Sequence, residues 1–281
     1  MSPALEATTH HVDVAGVRAA YRSIGEGPVL LMANRFRGTL DTWDPRFLDA
    51  LARERRVIVF DFPGVGYSDG EIPDDIALAS AFIDGLASAL GLDRFALLGW
   101  SWGGLAVQAY LLEHGQRLTH AVLLATNPPG ELQIPLQPSF LERALKPVND
   151  LEDEYVLFHV PDSEHSRARA RASFGRIHAR EGVVDRIPSS PDQFQRYFAA
   201  AAGFHADPGD RRGRLGAAGL PLLVLCGDHD SSTAGGNWFP LIGALPDARF
   251  VYYGDTGHAP HHQYPEIVAD AILGFLSEAR G

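Results

Sequence analysis

Short runs of consecutive apolar residues recur along the chain and predict most of its strands. Apolar runs bounded by turn residues are typical of strands that are buried on both faces of a parallel sheet. The predicted buried strands are Val29 to Ala33, Val57 to Phe60, Phe95 to Leu98, Ala121 to Ala125, Pro221 to Cys226 and Arg249 to Tyr253. Ahead of them, His11 to Val14 and Val17 to Tyr21 alternate apolar and polar residues around Ala15-Gly16. That alternation predicts an antiparallel hairpin at one edge of the sheet.

Apolar residues at helical spacing occupy most of the connections between these strands. The predicted helices are Pro45 to Arg53, Ile76 to Leu90, Leu105 to Glu113, Asn237 to Leu245 and Pro265 to Ser277. Strands that alternate with helices form a mostly parallel sheet with helices on both faces, so the predicted fold class is α/β. Functional residues of such sheets lie at the carboxyl ends of the strands.

The region from Glu131 to Arg214 interrupts this alternation. It is rich in Arg and His, is broken by prolines, and contains amphipathic stretches at Ser166 to Arg180 and Asp192 to Ala202. No apolar run of the strand type occurs in it. We therefore expect residues 131–214 to form a helical cap inserted into a core made of residues 1–130 and 215–281.

Composition narrows the possible partners of the protein. The net charge of −11 in 281 residues argues against a nucleic acid or an anionic membrane as partner. The start of the chain has no basic and apolar leader, and no apolar run is long enough to span a membrane, which favours a cytoplasmic protein. The single cysteine, Cys226, excludes an intrachain disulfide and is expected in the core. The oligomeric state is left open.

The sequence Gly99-Trp100-Ser101-Trp102-Gly103 stands between a predicted strand and a predicted helix. In that context Gly-x-Ser-x-Gly is a nucleophile elbow, a tight turn that lifts the serine above the sheet at a helix N-terminus. Small residues must flank such a turn, and Gly99, Gly103 and Gly104 supply them. Unpaired N–H groups at the helix N-terminus favour developing negative charge.

A serine nucleophile needs a histidine base and an acid that orients the histidine. The predicted strand ending at Cys226 is followed by Gly227-Asp228-His229-Asp230, and Gly254-Asp255-Thr256-Gly257-His258 follows the last strand. The order serine, acid, histidine is the one that this arrangement demands. Asp230 and the rival Asp228 are both candidates for the acid at this point, whereas Asp255 is interpreted as a turn carboxylate.

Four motifs together resemble those of the α/β-hydrolase fold family, and they cover nearly the whole chain outside the predicted cap. They are Trp43-Asp44-Pro45, Asp61-x-x-Gly-x-Gly-x-Ser68, Gly99-x-Ser-x-Gly103, and the pair Gly227-x-x-Asp230 with Gly257-His258. The resemblance implies the catalytic residues Ser101, Asp230 and His258. His229, His261 and His262 are interpreted as surface or loop histidines. Haloalkane dehalogenases and epoxide hydrolases of similar fold carry an aspartate at the elbow. Ser101 therefore argues against these two activities.

The loop after the strand Val29 to Ala33 departs from the family pattern. Family members commonly carry His-Gly-x there, whereas this chain has Asn34-Arg35-Phe36. By position, the backbone N–H groups of Phe36 and Trp102 are the expected oxyanion-hole donors. Asn34, Arg35, Trp100 and Trp102 are expected to bind substrate, although core packing is an alternative for Trp100.

Two arginines in this loop have two possible roles. Arg35 and Arg37 could recognise a carboxylate or another anion on the substrate, because Arg favours bidentate pairing. Alternatively, they could pair with Asp41 and Asp44 or be solvated. The sequence leaves both interpretations open.

The predicted activity is a serine hydrolase that cleaves an ester, a lactone or a similar carbonyl compound through an acyl-enzyme. A carbon–carbon bond hydrolase, a thioesterase or a cofactor-free perhydrolase or haloperoxidase relative would use the same triad. A ligand-binding receptor with little turnover is the alternative of another class. The cap histidines His159, His165, His178 and His205 lack metal-ligand spacing. We therefore expect a small-molecule substrate and neither a metal nor a cofactor.

Overall fold

The computed structural model describes residues 2–278, and the strands among them form one eight-stranded sheet. The order of the strands across the sheet is β1-β2-β4-β3-β5-β6-β7-β8. Their bounds are β1 (His10–Val14), β2 (Val17–Ile24), β3 (Val29–Ala33), β4 (Arg56–Phe60), β5 (Phe95–Trp100), β6 (Leu118–Leu124), β7 (Leu222–Gly227) and β8 (Ala248–Tyr253).

Strand direction follows the predicted division between edge hairpin and parallel centre. β2 pairs antiparallel with both β1 and β4, whereas the pairs from β4 through β8 are all parallel. Leu31 of β3 stands opposite Ile58 of β4 and Leu97 of β5. All six residues of β5 are buried, because helices cover both faces of the sheet there.

Helices connect the parallel strands. The α-helices are α1 (Pro3–Glu6), α2 (Pro45–Leu51), α3 (Ile76–Ala89), α4 (Trp102–His114), α5 (Pro138–Ala144), α6 (Leu151–Phe158), α7 (Glu164–Ile177), α8 (Pro191–Ala206), α9 (Arg211–Gly216), α10 (Pro260–Gln263) and α11 (Pro265–Leu276). The helix predicted over Asn237 to Leu245 is wrong in type and extent. A 3₁₀ segment occupies Gly235–Leu241 instead, and it contains Pro240, which has no N–H to continue an α-helix.

The core has two halves, one on each face of the sheet. Successive residues of a strand point to opposite faces, so Leu31 and Ala33 pack with α3 and α4 while Leu30 and Met32 pack with α2 and α11. The chain therefore forms the α/β sandwich that its hydrophobic pattern predicts.

The stretch between β6 and β7 contains the five helices α5 to α9 and no strand. We call residues 125–221 the helical segment. Its helical content agrees with the expectation for residues 131–214, while the division into a core domain and a cap domain stays a prediction. Across residues 2–278, every helix is too short or too polar to cross a bilayer.

Candidate active site

Ser101 occupies a strained turn between β5 and α4. Its φ of 55° and ψ of −119° lie in a region that residues with a side chain seldom adopt. Hydrogen bonds to the backbone N–H and carbonyl of Ser101 hold it in this conformation. The Ser101 N–H donates to the Leu124 carbonyl at 2.9 Å, and the Ser101 carbonyl accepts from the Thr126 hydroxyl at 2.7 Å and from the Gly104 N–H at 2.9 Å. The turn is therefore fixed to the carboxyl ends of the strands and cannot relax on its own.

At each of the three glycines predicted to allow this turn, there is no room for a side chain. A Cβ on Gly99 would lie 2.5 Å from the Gly103 carbonyl oxygen, and one on Gly103 would lie 2.5 Å from the carbonyl oxygens of Ala33 and Asn34. A Cβ on Gly104 would lie 2.6 Å from the Thr126 side chain. These approaches are shorter than any normal carbon contact, so a strand, a helix and a loop meet here without side chains between them.

The structure brings Ser101, His258 and Asp230 into one hydrogen-bonded chain. The Ser101 Oγ lies 2.9 Å from His258 Nε2, and His258 Nδ1 lies 2.8 Å from Asp230 Oδ2. The histidine and aspartate side chains are 1% and 0% exposed. With Nδ1 donating to the carboxylate, Nε2 is left as the acceptor that faces the serine hydroxyl.

Asp230 is held as a carboxylate although it is buried. Burial alone would raise its pKa, but the neighbouring His258 and the hydrogen bonds it accepts lower that pKa below the usual aspartate value. Its Oδ1 accepts from the N–H groups of Ser232 and Thr233, both at 2.8 Å. Its Oδ2 accepts from the Thr233 hydroxyl at 2.8 Å. Thr233 was absent from the sequence prediction, yet an Asp followed by Ser-Ser-Thr is a local turn signal that could have indicated it.

The other acidic residues near this chain have different partners. Asp228 Oδ1 lies 2.7 Å from His229 Nδ1 and accepts from the Thr256 N–H at 3.0 Å. Asp255 Oδ2 accepts from the Ser163 hydroxyl at 2.6 Å. The geometry therefore favours Asp230 over its rival as the residue that orients His258.

The interpretation of His261 and His262 as surface or loop residues is wrong. Both lie in α10 and are at most 1% exposed, whereas His229 is exposed as expected. The His261 ring stands edge-on to Trp100 at 4.3 Å and also packs on Phe47. Burial keeps the pKa of both α10 histidines well below the usual histidine value. An imidazole that stays neutral can pack like an aromatic ring. The sequence alone does not show this, because histidine is counted among the polar residues.

Asn34, predicted to bind substrate, instead holds the loop after β3 together. Its side-chain N–H groups donate to the Thr39 carbonyl at 2.8 Å and to the Thr42 hydroxyl at 3.1 Å. Its Oδ1 accepts from the Arg35 N–H at 2.8 Å. Because all these partners belong to the same loop, the side chain turns away from the cavity and fixes the backbone that leads to Phe36.

Phe36 and Trp102 flank Ser101 in the cavity wall. Trp102 is the first residue of α4, so its N–H has no acceptor within the helix. The close contact of Gly103 with the end of β3 brings the loop of Phe36 beside this helix N-terminus. The loop that carries Phe36 and the N-terminus of α4 therefore lie next to each other, and the role of their N–H groups as oxyanion donors stays a prediction.

A family model described as "alpha/beta hydrolase fold" matches residues 28–265, which is most of the chain. The chain belongs to the alpha/beta hydrolase fold family.

Relatives of this alpha/beta hydrolase differ widely in length. The chain is 29% identical over 279 residues to the polyketide synthase ThaQ of Burkholderia thailandensis, covering 94% of this chain but only 12% of that protein. It is 25% identical over 252 residues to the pimeloyl-[acyl-carrier protein] methyl ester esterase of Nitrosomonas europaea, covering 86% of this chain and 93% of that enzyme. A solved alpha/beta hydrolase fold protein from Chitinophaga pinensis is 29% identical with a TM-score of 0.88, covering 98% and 99% of the two chains. Several curated relatives are named as hydrolases.

A cavity of about 480 Å³ in this member of the family lies between Ser101 and the helical segment. Aliphatic and aromatic side chains make up most of its wall; among them are Leu105, Leu132, Phe140, Leu157, Phe158, Phe174, Ile177, Val183, Ile187 and Tyr197. Trp102 lies in the wall, as predicted. Trp100 is fully buried behind it and donates from its indole N–H to the His258 carbonyl at 3.0 Å. Of the two interpretations of Trp100, core packing is the one that the structure supports.

Arg35 faces the cavity and is not paired with Asp41 or Asp44. Those two aspartates pair with other arginines: Asp41 with Arg22 at 2.8 Å and Asp44 with Arg176 at 2.6 Å. The Arg35 guanidinium lies instead over the Phe158 ring of the cavity wall and over the Trp100 ring behind it. Desolvation lowers its pKa to about 10, which still leaves it a cation at neutral pH.

Glu154 of α6 is the acidic residue of the cavity wall. Burial raises the pKa of its carboxyl group to about 7, and the positive charge of Arg35 acts in the opposite direction. Sequence reasoning missed this residue, because an acidic residue near the start of a helix is most simply explained as a helix-stabilising charge.

Arg37 joins the loop after β3 to the helical segment. Its guanidinium donates to the carbonyls of Pro188 at 2.6 Å, Ala144 at 2.8 Å, Lys146 at 2.6 Å and Pro147 at 2.7 Å. The side chain is buried, and its φ of 60° is unusual for a residue other than glycine. Every interpretation based on a neighbouring acid therefore missed its role, because its acceptors are neutral carbonyl groups far away in sequence.

Among residues 2–278, no group of three or more His, Cys, Asp or Glu side chains is arranged to hold a metal ion. Cys226 is buried within β7, where burial raises the pKa of its thiol.

Proposed function

We propose that the protein is a serine hydrolase that cleaves an ester or a lactone through an acyl-enzyme intermediate. The observation that supports the proposal most directly is the chain of 2.9 Å and 2.8 Å hydrogen bonds joining Ser101, His258 and Asp230. This chain faces a mostly apolar cavity, so the substrate is expected to be largely apolar around its reactive carbonyl group.

The first half-reaction begins with attack of the Ser101 Oγ on the ester carbonyl carbon. As the new C–O bond forms, the hydroxyl proton passes to His258 Nε2 and the carbonyl π electrons move to the carbonyl oxygen. The Phe36 and Trp102 N–H groups are the proposed donors to this oxyanion, and Asp230 stabilises the imidazolium. The tetrahedral intermediate then collapses: the ester C–O bond breaks, and His258 returns the proton to the departing alkoxide.

The second half-reaction repeats these steps with water as the nucleophile. His258 accepts a proton from water, the resulting oxygen attacks the acyl carbon, and the proton returns to the Ser101 Oγ as the acyl bond breaks. The products are a carboxylic acid and an alcohol. With a lactone, both groups belong to one molecule.

The helical segment is proposed to act as the cap that closes the cavity above Ser101. It contributes apolar side chains to the cavity wall, among them Phe174 and Ile177 of α7 and Val183 and Ile187 of the loop that follows. Closure of the cavity by these residues would exclude bulk water from the oxyanion.

Labelling with a fluorophosphonate tests this proposal directly. Wild-type protein is incubated with the probe beside Ser101→Ala, and the labelled residue is identified by peptide mass spectrometry. The same proteins are assayed with p-nitrophenyl esters of increasing acyl length. We expect labelling confined to Ser101 and turnover lowered at least about 10³-fold in the variant. Absence of labelling in folded wild-type protein would contradict the proposal and favour a ligand-binding protein with little turnover.

A further inference from the structure

Arg35 carries an unused hydrogen-bonding edge inside the cavity. We propose that the substrate bears a free carboxylate, which binds side-on to the Nε and Nη2 groups of Arg35. This inference rests on the proposed function, because it names the class of ester that the same site cleaves: a half ester of a dicarboxylic acid or an ester of similar charge. A guanidinium matches a carboxylate with two parallel hydrogen bonds, which makes the pairing both strong and orientation-specific.

The surroundings of the guanidinium leave one edge for a ligand. Its Nη1 donates to the Phe36 carbonyl at 2.8 Å. Its Cζ lies over the Phe158 ring, 4.6 Å from the ring centroid, and over the Trp100 ring, 5.2 Å from the ring centroid. Its Nε is buried and has no hydrogen-bond partner within the described part of the chain. A buried donor without a partner is costly, and a carboxylate at this edge would satisfy it.

The other charged groups of the cavity wall cannot replace Arg35. Arg37 already donates to four backbone carbonyls of the helical segment, so its guanidinium has little left to offer a ligand. Glu154 acts on Arg35 electrostatically, and each of the two groups favours the charged form of the other. The pKa of its carboxyl group, raised to about 7, allows it to take up a proton near neutrality. A neutral Glu154 would not repel a second carboxylate.

The position of Arg35 links recognition to the reacting carbonyl. Arg35 directly precedes Phe36, whose N–H is a proposed oxyanion donor, and its Nη1 binds the carbonyl of that same residue. A carboxylate held by Arg35 would therefore fix the substrate at the loop that also receives the oxyanion. We expect the preference to depend on the number of carbons between carboxylate and ester, because the two anchors are fixed relative to each other.

The first experiment compares two substrates that differ in charge alone. A series of p-nitrophenyl half esters of dicarboxylic acids is assayed beside the same compounds with the far carboxylate capped as a methyl ester. We expect wild-type kcat/KM to favour the anionic member at one chain length or more. Arg35→Met should lower the anionic-to-neutral ratio by about 10- to 100-fold, the usual effect of losing charged hydrogen bonds. Arg35→Lys, which keeps the charge without the fork, should give an intermediate ratio.

Arg46→Met is the matched control, because Arg46 is an exposed arginine that pairs with Glu266 on the surface. Its ratio should equal that of the wild type. The ratio cancels any general loss of activity in the Arg35 variants, so a merely structural role for Arg35 would leave it unchanged. Equal ratios in wild type, Arg35→Met and Arg46→Met would overturn the inference while leaving the hydrolase proposal intact.

Binding measured without turnover separates the two proposals. Calorimetric titration of Ser101→Ala with the monomethyl ester of adipic acid is compared with titration by the dimethyl ester and repeated on Ser101→Ala/Arg35→Met. We expect the monoanion to bind more tightly, and the advantage to disappear in the double variant. That result would support the carboxylate site even if every ester assay failed. Preference for the neutral diester in Ser101→Ala would contradict it.

Discussion

Two aspartates that stand two residues apart have opposite consequences for the proposed chemistry. Asp230 is buried and hydrogen-bonded to His258, whereas Asp228 is partly exposed and bonded to His229. We expect Asp230→Asn to lower turnover by several orders of magnitude, because an amide cannot hold the required histidine tautomer or stabilise its charge. Asp228→Asn should cost far less than that. Steady-state kinetics on both variants gives the comparison, and the opposite order would show that the acid is misassigned.

At the scale of single residues, sequence reasoning identified groups whose chemistry is carried by their own motif. Ser101, Asp230 and His258 each follow a strand within a Gly-containing turn, and the structure brings them together. It failed for groups whose role depends on distant partners. Arg37 is an example, because carbonyl acceptors more than a hundred residues away leave no trace in its neighbourhood.

At the scale of elements, the elbow depends on how closely α4 approaches β3. A Cβ on Gly103 would lie 2.5 Å from two backbone oxygens, which cannot move without shifting the strand end. We expect Gly103→Ala to lower the free energy of unfolding by about 3 kcal/mol or more. Urea denaturation followed by circular dichroism measures this loss.

Gly115, at the C-terminal end of the same helix, supplies the control. A Cβ there would meet nothing within 4 Å, and its φ of −56° suits any residue. Gly115→Ala should therefore be neutral or stabilise the protein by up to about 1 kcal/mol. Equal destabilisation by the two substitutions would contradict the conclusion that the close approach of α4 to β3 requires a glycine at position 103.

The helical segment is attached to the rest of the fold by polar side chains as well as by apolar packing. Arg37 supplies charged hydrogen bonds to its carbonyls, and removal of the guanidinium would leave those carbonyls buried without donors. We expect Arg37→Ala to lower the free energy of unfolding by about 3 kcal/mol. Hydrogen exchange should quicken first in α5 and α6, because three of the four acceptors lie at the end of α5 or in the loop between these two helices.

Arg53→Ala is the comparison for that measurement, because Arg53 makes an exposed ion pair with Asp270 of α11, outside the helical segment. Exposed pairs contribute little to stability, so exchange in α5 and α6 should stay at the wild-type rate. Uniform acceleration of exchange throughout Arg37→Ala, with no preference for these helices, would contradict a local attachment.

The sequence predicted elements well where one physical signal dominated. Val29 to Ala33 was predicted to the residue, because a fully buried parallel strand reads as an unbroken apolar run. The stretch from Asn237 carried apolar residues at helical spacing, yet Pro240 and the preceding glycines limit it to a 3₁₀ segment. Helical spacing alone cannot show such a limit.

For the whole molecule, buried histidines predict a marked loss of stability in acid. Burial lowers the pKa of His159 to about 4 and holds those of His261 and His262 well below the ordinary value of 6.5. Since the unfolded chain protonates first, stability is full above about pH 6.5 and falls as the pH drops toward 4. For His159 the interval corresponds to at most about 3 kcal/mol.

The His261→Phe variant tests the acid effect, because phenylalanine suits a site lined by Trp43, Phe47 and Trp100 and does not titrate. The difference between the unfolding free energies at about pH 7.5 and pH 5 should shrink in this variant. The exposed His10→Phe variant should keep the wild-type difference. An unchanged difference in His261→Phe would mean that this histidine does not contribute to acid sensitivity.

The attachment made by Arg37 also bears on the rate at which molecules leave the protein. Val148 and Val184 line the cavity while being 68% and 44% exposed, so the cavity meets solvent between the loops that carry them. Pro147 stands beside the first valine and Pro188 lies a few residues after the second, and the Arg37 guanidinium holds the carbonyls of both prolines. Widening this opening requires breaking the hydrogen bonds of the Arg37 guanidinium to these carbonyls. We therefore expect Arg37 to slow the release of product. Loss of these hydrogen bonds should shorten the time for which the product stays bound. Pre-steady-state burst kinetics would show this change as a faster second phase.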